Sequence, residues 1–395
     1  MPQSFTDNEP PILTPPPPTT ASPPPVVPNP PRNRFPCASC GADMTFDTPT
    51  GGMKCPYCGY MEAVPTSVVG GLAQIEERPL EDYLQIAPER LAKLSATALE
   101  VTCTGCGSTI EFEPPKVAGD CPFCGAKIVA QPREADPLLA PEGVLPFFIT
   151  QKTASASIQK WISTRWFAPN ALKRQAEQDK SQGVYLPFWT YDAQTDSRYR
   201  GERGEHYYET EYYTGSDGKR ESRQVQKTRW YSASGMVHHF FDDVLIAASS
   251  SIPRQRLDAL EPWGLGDLKP YEPAYLSGFQ AQRYQISLSV GFNMAKEVMA
   301  ARIHSLVRQD IGGDEQRVHS VDTNYSALTF KHLLLPVYIS AYRYQGKIFQ
   351  VIVNARTGEV QGERPYSVWK ITFAVLLGLL IIAAIYYFTK DSGSQ

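Results

Sequence analysis

Eight cysteines fall into two sets with one spacing: Cys37, Cys40, Cys55 and Cys58, then Cys103, Cys106, Cys121 and Cys124. Each set holds two C-x-x-C-G pairs with fourteen residues between them, "CASCG" to "CPYCG" and "CTGCG" to "CPFCG". No other feature restricts the fold so tightly. A C-x-x-C pair on a tight turn aims two thiolates at one point. The glycine that follows each pair (Gly41, Gly59, Gly107, Gly125) admits the positive φ such a turn needs. Two turns brought together form a tetrahedral cage of four thiolates, the donor set of a closed structural zinc site. The spacing therefore predicts two small ribbons and two Zn2+ per chain. Phe46 and Phe112 each follow the second cysteine of their set by six residues, where a ring would fill a ribbon's small core.

Redox dithiols and disulfides compete with this reading. A redox C-x-x-C stands alone beside a βαβ pattern, and none surrounds these pairs. Disulfides need an oxidising compartment, and no signal-peptide pattern opens the sequence. The turns resemble those of TFIIB-type and rubredoxin-like zinc ribbons over about a hundred of the 395 residues. Rubredoxin-type iron sites use similar C-P-x-C-G turns, so the ligands are better defined than the metal. Such ribbons serve many functions, so the resemblance implies fold more firmly than activity.

Composition divides the remainder. Residues 1–35 include "PPILTPPPPTTASPPPVVPNPP", which suits neither helix nor central strand and reads as a disordered, proline-rich arm. Ribbon 1 is expected over 36–65 and ribbon 2 over 101–131. The spacer between them, 66–100, contains the helix-spaced "LEDYLQIAPERLAKLSA", interrupted by Pro88. Residues 132–143 read as a linker. With 42% hydrophobic residues, 21 Tyr and 17 Phe, the chain can build a sizeable core, and 144–366 is expected to hold it.

That segment predicts an α+β domain with a weak internal duplication. In the first half, "VLPFFIT" reads as a strand, Ile158, Trp161, Ile162 and Trp166 as one helix face, and "GVYLPFWTYDA" as a second strand. In the second half, "YQISLSV" reads as a strand. A helix with Ala295, Met299, Ile303 and Leu306 inward follows, and then "LLLPVYISAYRYQGKIFQVIVNARTGEV". This last piece reads as strands joined at Gln345-Gly346 and turned at "ARTGE", and it resembles PepSY-like hairpins. Between the halves, a polar hairpin should turn at Ser216-Asp217-Gly218.

"ITFAVLLGLLIIAAIYYF", residues 371–388, is eighteen residues without a charge. At about 1.5 Å per residue it spans about 27 Å, close to a bilayer's hydrocarbon thickness. Trp369 and Tyr386-Tyr387 flank it as interfacial rings would. A buried core helix would carry a polar face; this run has none. The expectation is a transmembrane helix over 369–389 with a short tail, 390–395. Arg356, Arg364 and Lys370 precede the span and Lys390 follows it. The positive-inside rule then leaves residues 1–370 in the cytosol, as a single-pass, tail-anchored protein of the inner (cytoplasmic) membrane.

Charge and motifs bear on function by exclusion. Residues 37–130 hold six Lys/Arg against twelve Asp/Glu, a net of −6, which argues against nucleic acid as a partner. No Walker A, G-x-S-x-G or H-E-x-x-H sequence occurs. His238-His239 would point to opposite faces of a strand, and His206, His304, His319 and His332 are scattered. No catalytic centre is expected.

The whole arrangement resembles a bacterial family of cytosolic zinc-ribbon proteins with a C-terminal membrane span. Such ribbon proteins have been likened to primosomal protein N′ fragments and are often encoded beside SPFH (flotillin-like) and phage-shock-type membrane-stress proteins. The matching features are the four cysteine turns, "LPFW" and the terminal span; the long proline arm departs from the pattern. The resemblance implies an adaptor or scaffold that holds cytosolic or membrane-associated proteins, of SPFH or phage-shock type, at the membrane. The alternative is a membrane-tethered, nucleic-acid-binding regulator.

Overall fold

A computed structural model describes residues 35–64, 75–84, 99–112, 118–129, 139–169, 181–214, 216, 219–344, 347–363 and 365–392. The proline-rich arm, most of the helix-spaced stretch of the spacer, the last two residues of ribbon 2 (130–131), the 132–138 part of the linker, Asp217-Gly218 and Gln345-Gly346 lie outside these residues. Ribbon 1 is an antiparallel sheet of β1 (Thr45–Asp47), β2 (Gly52–Lys54) and β3 (Met61–Glu62). The spacer contributes β4 (Arg78–Pro79) and helix α1 (Leu80–Leu84). Ribbon 2 is two hairpins: β5 (Leu99–Thr102) with β6 (Thr109–Phe112), and β7 (Ala118–Asp120) with β8 (Lys127–Val129).

The body follows. A two-residue strand, β9 (Gly143–Val144), leads to helix α2 (Gln151–Ser163), whose N-cap Thr150 accepts a hydrogen bond from the Thr153 amide. Then comes β10 (Gln182–Thr214), one strand of 33 residues, paired antiparallel with β11 (Arg220–Ala247). After a short helix, α3 (Arg254–Asp258), and the small strands β12 (Lys269–Pro270) and β13 (Gln280–Ala281), helix α4 runs over Leu288–Ile311. Strands β14 (Glu315–Tyr344), β15 (Lys347–Asn354) and β16 (Val360–Gly362) complete the sheet, in the order β11-β10-β14-β15-β16. Helix α5 (Val368–Ser392) ends the described chain.

The core sits where β10 and β14 cross the middle of the sheet. Tyr185, Leu186, Phe188, Trp189 and Tyr191 of β10 are buried against Leu333, Leu334, Leu335 and Val337 of β14. "LPFW" and "LPVY" lie side by side, with Leu186 opposite Leu335. Further along β10 the pattern becomes alternating, with Thr195, Ser197 and Tyr199 buried toward α4 while Arg198 and Arg200 face out. Helix α4 meets the sheet through a stripe at every fourth residue: Gly291, Ala295, Met299, Ile303, Val307 and Ile311. At Gly291 the approach is so close that a Cβ would stand 2.4 Å from the Tyr191 hydroxyl. Two of the buried rings have their polar ends bonded: Trp189 Nε1 donates to the Ile286 carbonyl (2.9 Å) and the Tyr191 hydroxyl to that of Leu288 (2.7 Å).

Beyond the Gly204–Glu315 pair, β10 and β11 continue alone as a two-stranded arm. It lacks an apolar face and is held by cross-strand pairs instead. Lys227 meets Glu209 at 2.7 Å, and Arg229 lies over Tyr207 and Arg220 over Tyr212 at 4.9 and 4.7 Å. The hairpin expected here exists, as the distal third of a much longer one.

Four local expectations change. "VLPFFIT" is a strand at Val144 only and then irregular chain that buries Leu145 and Phe147 and exposes Phe148; Pro146 has no N–H for a ladder. "YQISLSV" is not a strand. Ser287 caps α4 by accepting from the Val290 amide, so the helix starts at Leu288. Val307 rather than Leu306 faces inward. Trp166 is not on the buried face of α2. The hydroxyls of Ser163 and Thr164 take the carbonyls of Lys160 and Trp161, the helix stops, and the ring is 72% exposed.

Candidate metal centres

The four C-x-x-C turns share one hydrogen-bond pattern. In each, the glycine amide donates to the carbonyl of the first cysteine: Gly41 to Cys37, Gly59 to Cys55, Gly107 to Cys103 and Gly125 to Cys121, at 2.8 to 3.0 Å. Each glycine has a φ between 69° and 76°, the left-handed region a side chain resists. These turns bring the thiols together in two groups: Cys37, Cys40, Cys55 and Cys58, and Cys103, Cys106, Cys121 and Cys124. Within each group the sulfurs lie within 4.8 Å of one another.

The cage dimensions test whether a metal fits. The cross-turn Sγ–Sγ distances are 3.6 Å (Cys37–Cys58), 3.5 Å (Cys40–Cys55), 3.5 Å (Cys103–Cys124) and 3.6 Å (Cys106–Cys121). A metal–sulfur bond of about 2.3 Å in tetrahedral geometry requires an edge of about 3.8 Å, so both cages fit an ion closely. Covalent pairing would need about 2.05 Å, and all eight cysteines are free. The sequence's ligand set thus converges as two four-cysteine groups compatible with two bound metal ions, of a type that takes zinc or iron.

The thiols are not equivalent. In the first cage the Cys58 amide holds Cys55 down to about 6; in the second, burial raises Cys124 to about 11 and Cys121 further still. With two thiols raised, the second cage does not ionise fully by itself at neutral pH. A bound divalent cation changes that, because coordinated thiols are deprotonated outright.

Neither ribbon is a separate bead. Met44, Phe46 and Met53 of ribbon 1 share one core with Val144, Phe147, Tyr185 and Tyr275 of the body. Phe46 packs on Tyr275 with ring centroids 5.4 Å apart, its amide donates to the Ser277 carbonyl, and Ser277 Oγ donates to the Met44 carbonyl. Ribbon 2 enters a second core: Ile110, Phe123 and Ile128 pack with Leu145, Leu186, Leu335 and Ile352. Gln350 Nε2 reaches the Phe123 carbonyl at 2.5 Å. Phe46 is buried, but in the core that ribbon 1 shares with the body and not in one of the ribbon's own; the Phe112 side chain lies outside the described residues.

A charged cluster that sequence reading missed lies at the spacer. The carboxylates of Asp192, Asp242 and Asp243 converge within 4.8 Å. Lys331 places its ammonium 2.8 Å from Asp243 and 3.1 Å from Glu77, standing where a cation would. Its hydrogen bond to Glu77 lowers that carboxyl's pKa, while burial raises that of Asp192. The network ties the spacer to the sheet. Nearby, Glu142 is buried against Arg78 at 2.9 Å and accepts from the His332 amide; burial raises its pKa to about 7. The two rings of His238-His239 do diverge: His238 bonds Asp196 at 2.5 Å in the open, and His239 packs edge-on against Phe241.

Helix α5 is long and apolar enough to cross a membrane, and none of Val368–Ile385 is buried against the body. No family model matches the chain, and no solved structure matches it. The chain is similar to an uncharacterized protein of Bacillus subtilis strain 168, YdjG, with 26% identity over 345 residues, covering 85% of this chain and 91% of that protein.

Proposed function

We propose that the chain is a membrane-tethered zinc-ribbon adaptor, a scaffold that holds partner proteins at the cytosolic face of the inner membrane. Zinc occupies both cages and fixes the ribbons against the body, while α5 anchors the assembly. The observation that carries the reading is an apolar patch on the outer turn of ribbon 1. Tyr57 is 83% exposed on the turn between Cys55 and Cys58, with Tyr60 and Met61 exposed beside it. Exposed rings on a rigid, metal-stapled turn are a recurrent form of protein-docking surface. The net charge of −6 over residues 37–130 disfavours a phosphate backbone there. The resemblance to ribbon proteins encoded beside SPFH and phage-shock-type proteins suggests partners of that kind.

The internal duplication belongs to the same reading. It is supported by reciprocal pairing, since β9, ahead of α2, runs parallel to β14, and β13, ahead of α4, runs parallel to β10.

The test is co-purification of cytosolic proteins with membranes carrying the wild type or Tyr57→Ser/Met61→Ser at equal levels. The double variant retains its metal, because neither residue is a ligand, and recovery of partners falls. Unchanged recovery refutes the docking face. A DNA gel shift by the wild type that fades steeply with salt would support the nucleic-acid regulator instead. Removal of residues 369–395 releases the protein from membranes; a truncated form that still pellets with them in high salt refutes the anchor.

A further inference from the structure

The loop that follows α2 is bonded to the base of α5. Ser367 N donates to the Phe167 carbonyl at 2.8 Å, and Lys370 Nζ donates to the carbonyls of Trp166 (3.1 Å) and Ala168 (2.8 Å). Three consecutive carbonyls thus hold the chain just where its apolar run begins. The rings they carry point away from the body's core: Trp166 is 72% exposed and Phe167 38%. Across a shallow groove of about 500 Å³ stand Trp369 and Phe373 of the helix, 87% and 65% exposed.

We propose that Trp166 and Phe167 form a ledge by which the body itself sits in the headgroup region of the bilayer. The inference rests on α5 being a membrane anchor. Given that, the geometry leaves little freedom. The ledge carbonyls bond residues 367 and 370, so Trp166 lies level with Trp369, at the height where the bilayer surface meets the helix. Indole rings favour that zone because it offers their apolar body hydrocarbon and their N–H a polar partner. Lys370, at the same level, has its ammonium satisfied by protein carbonyls, so the helix can enter lipid without stranding a charge. A protein partner on this ledge would have to share the space with headgroups around the same helix turn. The consequence is mechanical: α5 and the ledge together hold the body, ribbons included, at a fixed height and tilt.

The experiment uses the full chain reconstituted into phosphatidylcholine vesicles, with some lipid brominated high on the acyl chain. The difference in fluorescence between wild type and Trp166→Phe isolates Trp166, and Trp369→Phe isolates Trp369. The protein floats with the vesicles, and bromolipid quenches the Trp166 signal to the same extent as the Trp369 signal. If Trp369 is quenched while Trp166 stays open to aqueous acrylamide, the ledge is overturned and the anchor stands. If the protein does not float and neither ring is quenched, anchor and ledge fail together.

Discussion

Truncating Phe123 separates two pictures of the ribbons. The ring lies inside the second knuckle of ribbon 2, between Cys121 and Cys124, and is completely buried in a core that also contains Leu186, Trp263 and Leu335 of the body. Phe123→Ala keeps the backbone and all four thiols, so metal content should not change. It removes a ring from a packed junction, and Phe→Ala changes in such cores cost about 3–5 kcal/mol. The cavity would have rigid walls on both sides, a cage on one and the sheet on the other, which favours a value of about 4 kcal/mol. At about 2–4 °C per kcal/mol for a unit of this size, the thermal midpoint should fall by roughly 10 °C. The reporters are Trp189 and Trp263, buried in the body and not in the ribbon. Intrinsic fluorescence melting of the detergent-solubilised protein, with metal analysis of the same sample, reads both quantities. A wild-type midpoint in the metal-replete variant would mean that ribbon 2 folds and unfolds alone, and the shared-core argument would be wrong.

Metal analysis of freshly reduced full-length protein should give two equivalents per chain, and Cys121→Ser should lose one of them. Because ribbon 2 forms part of the body's core, the same change should lower the body's melting midpoint as well; one equivalent or none in the wild type would refute the paired cages. His332 provides a pH signature. Burial holds its imidazole at about 4, with Nδ1 donating to the Leu139 carbonyl, so the unfolded chain, near 6.5, takes up the proton first. Its contribution is therefore complete above about pH 6.5 and lost as pH falls toward 4, by about 3 kcal/mol relative to His332→Asn. Glu142 works the other way, since its raised value of about 7 favours the folded state on acidification, and comparing the two proteins at each pH removes that term. Urea titrations across this range should show the variant with the shallower acid slope; parallel curves would refute a buried neutral imidazole.

The cages were legible because their geometry is local. A knuckle is five residues, its glycine is dictated by φ, and the cysteine spacing carries both facts in linear order. What holds the cages in place is not local. The Ser277–Met44 hydrogen bond joins residues 233 apart, and the Lys331–Glu77 pair residues 254 apart. Nothing in the pattern around Met44 or Glu77 records a partner so distant, so the ribbons read as independent modules. The ammonium of Lys331 inside an aspartate cluster was hidden for the same reason: Asp192, Asp243 and Lys331 come from three strands that only the sheet register aligns.

The fold shows the same division between local and borrowed causes. Apolar runs at "LPFW" and "LLLPVY" marked the buried centre of β10 and β14, where both faces are covered. The distal arm of β10 and β11 carries polar residues paired across the ladder, and its stability comes from neighbours rather than from an apolar face. Trp166 reverses the case. Counting residues places it with Ile158 and Ile162 on one helix face, but the helix ends at Ser163, with the hydroxyls of Ser163 and Thr164 bonded to the carbonyls of Lys160 and Trp161, before that turn is made. An indole that periodicity assigns to a core is thereby delivered to the surface, tied through its own carbonyl to Lys370. Trp369 and Phe373 of α5 line the same groove as that indole, and none of Val368–Ile385 is buried in the body. Ring and helix therefore call for one and the same solvent, and the bilayer that would cover the helix is the environment that would also cover the ring.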